Sequence, residues 1–192
     1  PWLTPHHLAD LRASGLSDQQ IAACGFRSLQ VPASVQNVLR WTHYNGEFGD
    51  CLAIPFFDAD GLPTGYTRLK PDRPRRRKSD GKPIKYESPK GISNCAYFPP
   101  GTRAALKEPL APLLMTEGEK KAAKADQEGF ACVGLVGVYG WQKKRVKDKV
   151  GKPQAERELI DGLALIPWEG RPVFLGFDSD AATNLNVRWA VW

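Results

Sequence analysis

From the amino terminus, apolar positions first recur at helical spacing. Leu8, Leu11, Leu16 and Ile21 form a stripe that predicts two short helices, 5–14 and 17–24, the second capped by Ser17 at the head of Ser17-Asp18-Gln19-Gln20. Residues 30–50 carry the aromatics Trp41, Tyr44 and Phe48 with only a weak period. From Cys51 the pattern changes to that of a hairpin: a strand over 52–57, a turn at Asp58-Ala59-Asp60-Gly61 and a strand over 64–70. The charged, proline-containing run 72–83 then reads as a mobile loop, and 84–91 and 95–101 as two short strands or extended segments. Three apolar runs organise the last third of the chain, predicting strands at about 112–116, 131–136 and 172–177. Between the first two lies a helix from about Glu119 to Gln127, closed by Gly129. Residues 142–158 read as a polar insertion ahead of a helix around 158–165.

Strand, helix, strand, and a further strand is the grammar of a parallel sheet with crossover helices. The expected fold class is therefore α/β: a parallel sheet over residues 108–192, preceded by a smaller basic α+β unit over 1–107. Composition agrees with a soluble globular chain, 42% hydrophobic and 25% charged. No apolar run approaches the ~20 residues a membrane helix needs. The four cysteines (Cys24, Cys51, Cys95, Cys132) are too scattered for a zinc motif, so reduced thiols in a cytoplasmic protein are expected. His6 and His7 have no acid or cysteine near them in sequence and are expected in surface or capping roles rather than as metal ligands. The chain begins without Met and stops at Trp192 in what reads as a helix, which suggests a fragment of a longer protein.

Charge changes the picture more than composition does. Residues 68–90 hold ten lysines and arginines against three acids, an excess larger than the net +6 of the whole chain. Positive charge concentrated in this way points to a polyanionic partner. Its candidates for contact are Arg68 and Lys70, which alternate along one strand and so share a face, then Arg75, Arg76, Arg77, Lys78 and Lys85, with Tyr86 and Tyr97 as stacking or core residues. Parallel sheets place their chemistry at the carboxyl ends of strands, where Glu117, Asp178 and Asp180 fall. Three converging carboxylates repel one another unless a cation sits among them, and hard oxygen ligands suit Mg²⁺ or Mn²⁺. Thr116 and Glu119 fit a capping box, which makes Glu119 structural, whereas Glu117 stands where no cap uses it. Asp58 and Asp60 repeat the Asp-x-Asp spacing but belong to turn chemistry.

Leu114-Met115-Thr116-Glu117-Gly118-Glu119 followed by Phe177-Asp178-Ser179-Asp180-Ala181-Ala182 resembles the Toprim domain of bacterial-type primases, type IA and II topoisomerases and some nucleases, over about residues 110–192. Upstream, Ile84-Lys85-Tyr86-Glu87-Ser88-Pro89 and Ala96-Tyr97-Phe98 resemble the basic subdomain of primases, and the likeness extends to Toprim-like domains of phage, plasmid and mobile-element replication proteins. The resemblance implies metal-dependent nucleotidyl transfer on a single-stranded DNA template in DNA replication. Glu117, Asp178 and Asp180 would hold Mg²⁺ or Mn²⁺, and Arg68, Lys70 and Lys85 would lie near that cleft. Nucleoside triphosphates are the implied co-substrates and a helicase, in the same or another chain, an implied partner; no membrane is implied. Two other readings share the sequence: a Toprim nuclease or topoisomerase-type enzyme, and a non-catalytic nucleic-acid-binding module attached to a helicase or replication initiator. The sequence also departs from the family. The zinc module usual ahead of a bacterial primase is absent, Thr183 replaces a common Ala-Gly step, and the sheet is expected to be cut short at Trp192.

Overall fold

A computed structural model describes residues 2–146, 148, 150, 151, 154 and 156–177. Two compact units emerge: Pro1–Phe57 with Leu62–Ile92, and Asp58–Gly61 with Ser93–Trp192. Among the described residues no helix is long and apolar enough to cross a membrane. All four cysteines are thiols, and burial pushes those of Cys51 and Cys132 up to about 12.

The first unit is built on an antiparallel sheet. Helices α1 (Pro5–Ala13) and α2 (Asp18–Ala23) precede β1 (Arg27–Leu29), α3 (Pro32–Leu39), β2 (Cys51–Phe57) and β3 (Pro63–Pro71). β2 is the middle strand, and its residues 51–56 are buried on alternating faces, so the sheet is covered on both sides. One face packs Cys51, Ala53 and Leu69 against Val35 and Leu39 of α3, with Phe48, Trp41 and Tyr44 completing the layer. The hairpin turn forms as expected: Asp58 Oδ1 accepts the Asp60 amide at 2.9 Å, and Gly61 takes the positive φ of +83°. Ser17 caps α2 through the Gln20 amide. Helix α3 has no counterpart in the sequence reading. Pro32 in its first turn and the spacing of Val35, Val38 and Leu39 were its signals, masked by the polar residues between them.

Two further expectations for this unit need correcting. The run 72–83, expected as a loop without internal structure of its own, closes as a tight reversal: Arg76 bridges Pro83, the Arg77 amide donates to Lys82 O at 2.8 Å, and the Ile84 amide to Arg75 O at 2.8 Å. His7 is not a surface residue. Only 3% exposed, it hydrogen-bonds Ser28 and Asp72, partners 21 and 65 residues away that local sequence could not supply.

The second unit contains α4 (Thr102–Leu106), β4 (Leu113–Glu117), α5 (Glu119–Gln127), β5 (Cys132–Leu135), α6 (Asp161–Ala164) and β6 (Val173–Gly176). Its sheet has the order β5-β4-β6, and both pairings are parallel, as the strand-helix-strand pattern requires. One face of the sheet is apolar: Leu113, Met115, Val133 and Leu135 pack with Phe98, Leu106, Ile160, Leu163 and Ile166. The polar stretch after β5 is an excursion whose ends meet, with the Lys143 amide donating to Glu158 O at 2.8 Å and the Ile160 amide to Trp141 O at 3.0 Å.

Arg171 determines where β6 enters. Its side chain is buried and all its bonds go to main-chain carbonyls: Nε to Pro167 at 3.0 Å, Nη1 to Ala105 at 3.1 Å and Ala111 at 2.9 Å, Nη2 to Leu106 at 3.1 Å and Glu108 at 2.7 Å. The guanidinium thus adds a donor to carbonyls at and after the end of α4, two of which (Ala105 and Glu108) also accept a main-chain amide, and pins the residue two positions before β6. Arg171→Ala should lower stability by on the order of 3 kcal/mol, because five carbonyls, one buried and four part-buried, each lose a donor at once. Arg171→Lys should recover little of it, since an ammonium has three donors and no planar fork. Chemical denaturation of the three proteins measures both effects; a lysine variant as stable as wild type would mean that charge alone suffices.

Candidate functional site

The carboxyl edge of the parallel sheet is assembled by β4 and its two neighbours. Thr116 stands opposite Gly134 of β5 and Gly176 of β6, and Glu117, the last residue of β4, opposite Leu135. Both flanking glycines have a steric reason. A Cβ on Gly134 would lie 3.2 Å from the Cβ atoms of Ala122 and Tyr97 and 3.3 Å from Gly118 O. One on Gly176 would lie 3.2 Å from Leu114 Cδ1. Small residues here let α5 lie close to the sheet and bring β6 tight against β4.

Gly118 makes the turn from β4 into α5 with φ +98°, a conformation that other residues rarely adopt. It also takes the N-cap position, and no side-chain cap is made. The capping box expected of Thr116 and Glu119 is therefore absent. Thr116, buried, instead donates its hydroxyl to Gly176 O at 2.6 Å, tying β4 to β6 at the rim. Glu119 is 2% exposed in the first turn of α5, where a carboxylate is favoured by the helix dipole.

Glu117 is half-buried, and among the described residues its carboxylate accepts no hydrogen bond and forms no ion pair. A carboxylate partly withdrawn from water with no protein donor has the makings of a cation ligand, and its hard oxygens fit Mg²⁺ or Mn²⁺. β6 runs beside β4 and hands the chain on at Phe177. Asp178 and Asp180, the other expected ligands, lie outside the described residues.

The basic candidates fall into two groups. Lys70 is engaged by both oxygens of Asp10 at 2.8 and 2.9 Å, and Arg75 forks onto Glu87 at 2.6 and 2.9 Å while its guanidinium lies 5.5 Å from the Trp41 ring centre. Glu87 is buried, so this pair raises the Arg75 pKa and holds the segment 84–89 beside β3, where the Leu69 and Glu87 main chains exchange bonds. Arg68 stacks over Tyr86 at 4.7 Å, forming a half-buried cation-aromatic pair. Tyr97 is 2% exposed and bridges Gly134, which makes it a core residue rather than a stacking platform. Arg76, Arg77, Lys78 and Lys85 are exposed; Arg76 bonds Gly81 O and Arg77 bonds Asp80, while Lys78 and Lys85 have no ion pair among the described residues.

A family model described as a domain of unknown function, DUF3854, matches residues 103–192 and so takes in β4, β5, β6 and Glu117. An uncharacterized protein of Picosynechococcus sp. (strain ATCC 27264 / PCC 7002 / PR-6) is 30% identical over 136 residues, which are 58% of this chain and 14% of that protein. Among solved structures the chain is similar to the crystal structure of the Aquifex aeolicus primase, zinc-binding and RNA polymerase domains. The TM-score is 0.56 at 14% identity, over 98% of this chain and 45% of that one. At that identity the likeness is one of fold: a mixed α/β architecture with a parallel three-stranded sheet. The chain spans less than half of the primase structure and a small part of its curated relative.

The split among the basic residues has a measurable consequence. Arg75→Ala should lower stability by about 1–3 kcal/mol, because it strands the buried Glu87 carboxylate. Arg76→Ala, Arg77→Ala and Lys78→Ala should each stay within about 0.5 kcal/mol of wild type. Equal losses across the four in denaturant titrations would show that the Glu87 pair carries no special weight.

Proposed function

We propose that the chain is the nucleotidyl-transfer core of a primase-like, Toprim-type replication protein acting on single-stranded DNA. The observation that carries the reading is Glu117, a half-buried carboxylate with no partner among the described residues, at the carboxyl edge of the central strand of a parallel sheet. Support comes from the fold likeness to a bacterial primase and from the sequence order Glu-Gly, crossover helix, Asp-x-Asp.

In this reading Glu117, Asp178 and Asp180 hold the divalent ion. Bound there, Mg²⁺ or Mn²⁺ supplies neutralisation of the triphosphate and a lowered pKa for the attacking 3′-hydroxyl. The chain's own residues do the rest. Thr116 and the two flanking glycines fix the rim on which Glu117 stands. Arg76, Arg77, Lys78 and Lys85 offer charge to template phosphates without sequence preference. Arg68 over Tyr86 presents a planar cation already packed against an aromatic ring, suited to the face of a base. Nucleoside triphosphates, a single-stranded template and a helicase in the same or another chain are the proposed partners, and a phage, plasmid or other mobile element the proposed setting.

In the full-length protein, given a single-stranded template, nucleoside triphosphates and Mn²⁺ or Mg²⁺, Glu117→Gln should abolish synthesis of short primers while leaving template affinity nearly intact. Template nicking abolished in the same variant would favour a nuclease, and tight binding with no metal-dependent chemistry a non-catalytic module. Single-stranded DNA affinity should fall steeply with salt. Replacing Arg76, Arg77 and Lys78 by Ala should flatten the log-log slope by roughly 0.7 for each phosphate that is no longer neutralised. An unchanged slope would reduce this segment to a solubilising turn.

A further inference from the structure

In the antiparallel unit, far along the chain from Glu117, a second set of metal-ligand atoms converges. His6 and His7 open α1, and Asp72 follows the last residue of β3. His6 Nε2 lies 2.7 Å from Asp72 Oδ2, and His7 Nε2 lies 3.0 Å from Asp72 Oδ1. One donor atom from each residue lies within 4.8 Å of the other two. Successive residues on a helix diverge by roughly 100° around its axis, yet both rings turn to the same carboxylate, their centres 4.2 Å apart. A hydrogen-bonded anchor for Asp72 needs only one of them.

We propose that His6, His7 and Asp72 form a binding site for a borderline divalent transition metal, Zn²⁺ in the first instance. Two imidazole nitrogens and one carboxylate oxygen are a set that zinc accepts and that Mg²⁺, which prefers oxygen alone, does not. Tetrahedral zinc with bonds of about 2.0–2.2 Å would space its ligand atoms about 3.3 Å apart. The carboxylate contacts already lie near that value, and His6, half-exposed, has room to close on the ion.

The surroundings are those of a prepared ligand. His7 is buried, and its second ring nitrogen, Nδ1, lies 2.7 Å from Ser28 Oγ on β1. That hydroxyl also accepts the Thr4 amide at 2.8 Å and sits 3.1 Å from Thr4 Oγ1. With an ion bound, Ser28 donating to Thr4 Oγ1 would accept from Nδ1–H and leave the Nε2 lone pair to the metal; without one, Nε2–H donates to Asp72 and Nδ1 accepts from the Ser28 hydroxyl. Such an outer hydrogen bond is what orients metal-binding histidines. Asp72 is held from behind, its amide donating to Asp50 O at 2.9 Å and that of Arg73 to Phe48 O at 2.9 Å. The fourth position would open on the side of exposed His6 and Asp72, free for water. The ion would tie α1 to the end of β3, where the basic segment begins.

The competing explanation is a hydrogen-bonded clasp, with Asp72 drawn to the positive end of α1 and no metal. Titrating Zn²⁺ into the metal-free, reduced wild-type chain, followed by isothermal calorimetry and by the ring ¹⁵N signals of the histidines, separates the two. One Zn²⁺ per chain is expected, with Nε2 of both His6 and His7 shifting as metal ligands. Ser28→Ala should weaken binding about 10–100-fold, and His6→Ala should weaken it further. Unmoved Nε2 signals in wild type overturn the proposal, a result that needs no variant to fold. Equal affinity in wild type and in His6→Ala of unaltered circular dichroism overturns it as well.

Discussion

The second unit depends on one cation that serves no anion. The buried guanidinium of Arg171 meets five main-chain carbonyls, the whole donor capacity of the group. Those carbonyls come from the end of α4, from the turn before β4 and from the turn before β6. Two strands that would otherwise be independent arrivals at the sheet are thereby referred to one rigid fork. The parallel pairing of β4 with β6, and with it the neighbourhood of Glu117, rests on that fork and on the Thr116 hydroxyl at the other end of the strand pair.

The parts of the fold legible in the sequence were those set by apolar periodicity. Three apolar runs ending near acids or glycines became the strands of the parallel sheet, and the Asp-Ala-Asp-Gly turn fixed the hairpin of β2 and β3. What stayed hidden was long-range or conformational. Thr116 and Glu119 carry the letters of a capping box, but Gly118 at φ +98° moves the cap position past Thr116, whose hydroxyl then serves β6. Arg171 reads as one of many basic residues, because its partners are carbonyls that no sequence pattern displays. His7 and Asp72 are 65 residues apart, so neither announces the other. For the candidate site, the structure places Glu117 at the end of β4, while Asp178 and Asp180 lie outside the described residues.

The basic segment shows why counting charge is only a first step. A run of cations looks uniform along the chain, yet the structure assigns its members different work. Arg75 neutralises a buried acid, Lys70 binds Asp10, and Arg68 covers an aromatic ring. The charge left for an outside polyanion sits mainly at the turn 76–82 and at Lys85, a narrower and more directional patch than the composition suggests. Two cation sites of opposite character would then coexist in one chain: oxygen-lined at the carboxyl edge of the parallel sheet, and nitrogen-rich at the start of α1.

The parallel sheet is also unevenly spaced along the chain. β4, α5 and β5 follow one another without interruption, whereas the Gly176 carbonyl that Thr116 binds comes from sixty residues downstream. A contiguous strand-helix-strand segment closes small loops and can form early, while β6 must wait for a long excursion to be threaded and for Arg171 to find its carbonyls. During synthesis the glutamate rim therefore exists as a half-built edge before its third strand arrives. The step that completes the rim is the late closure of a long loop, so the surroundings of Glu117 are settled by the last folding event rather than the first.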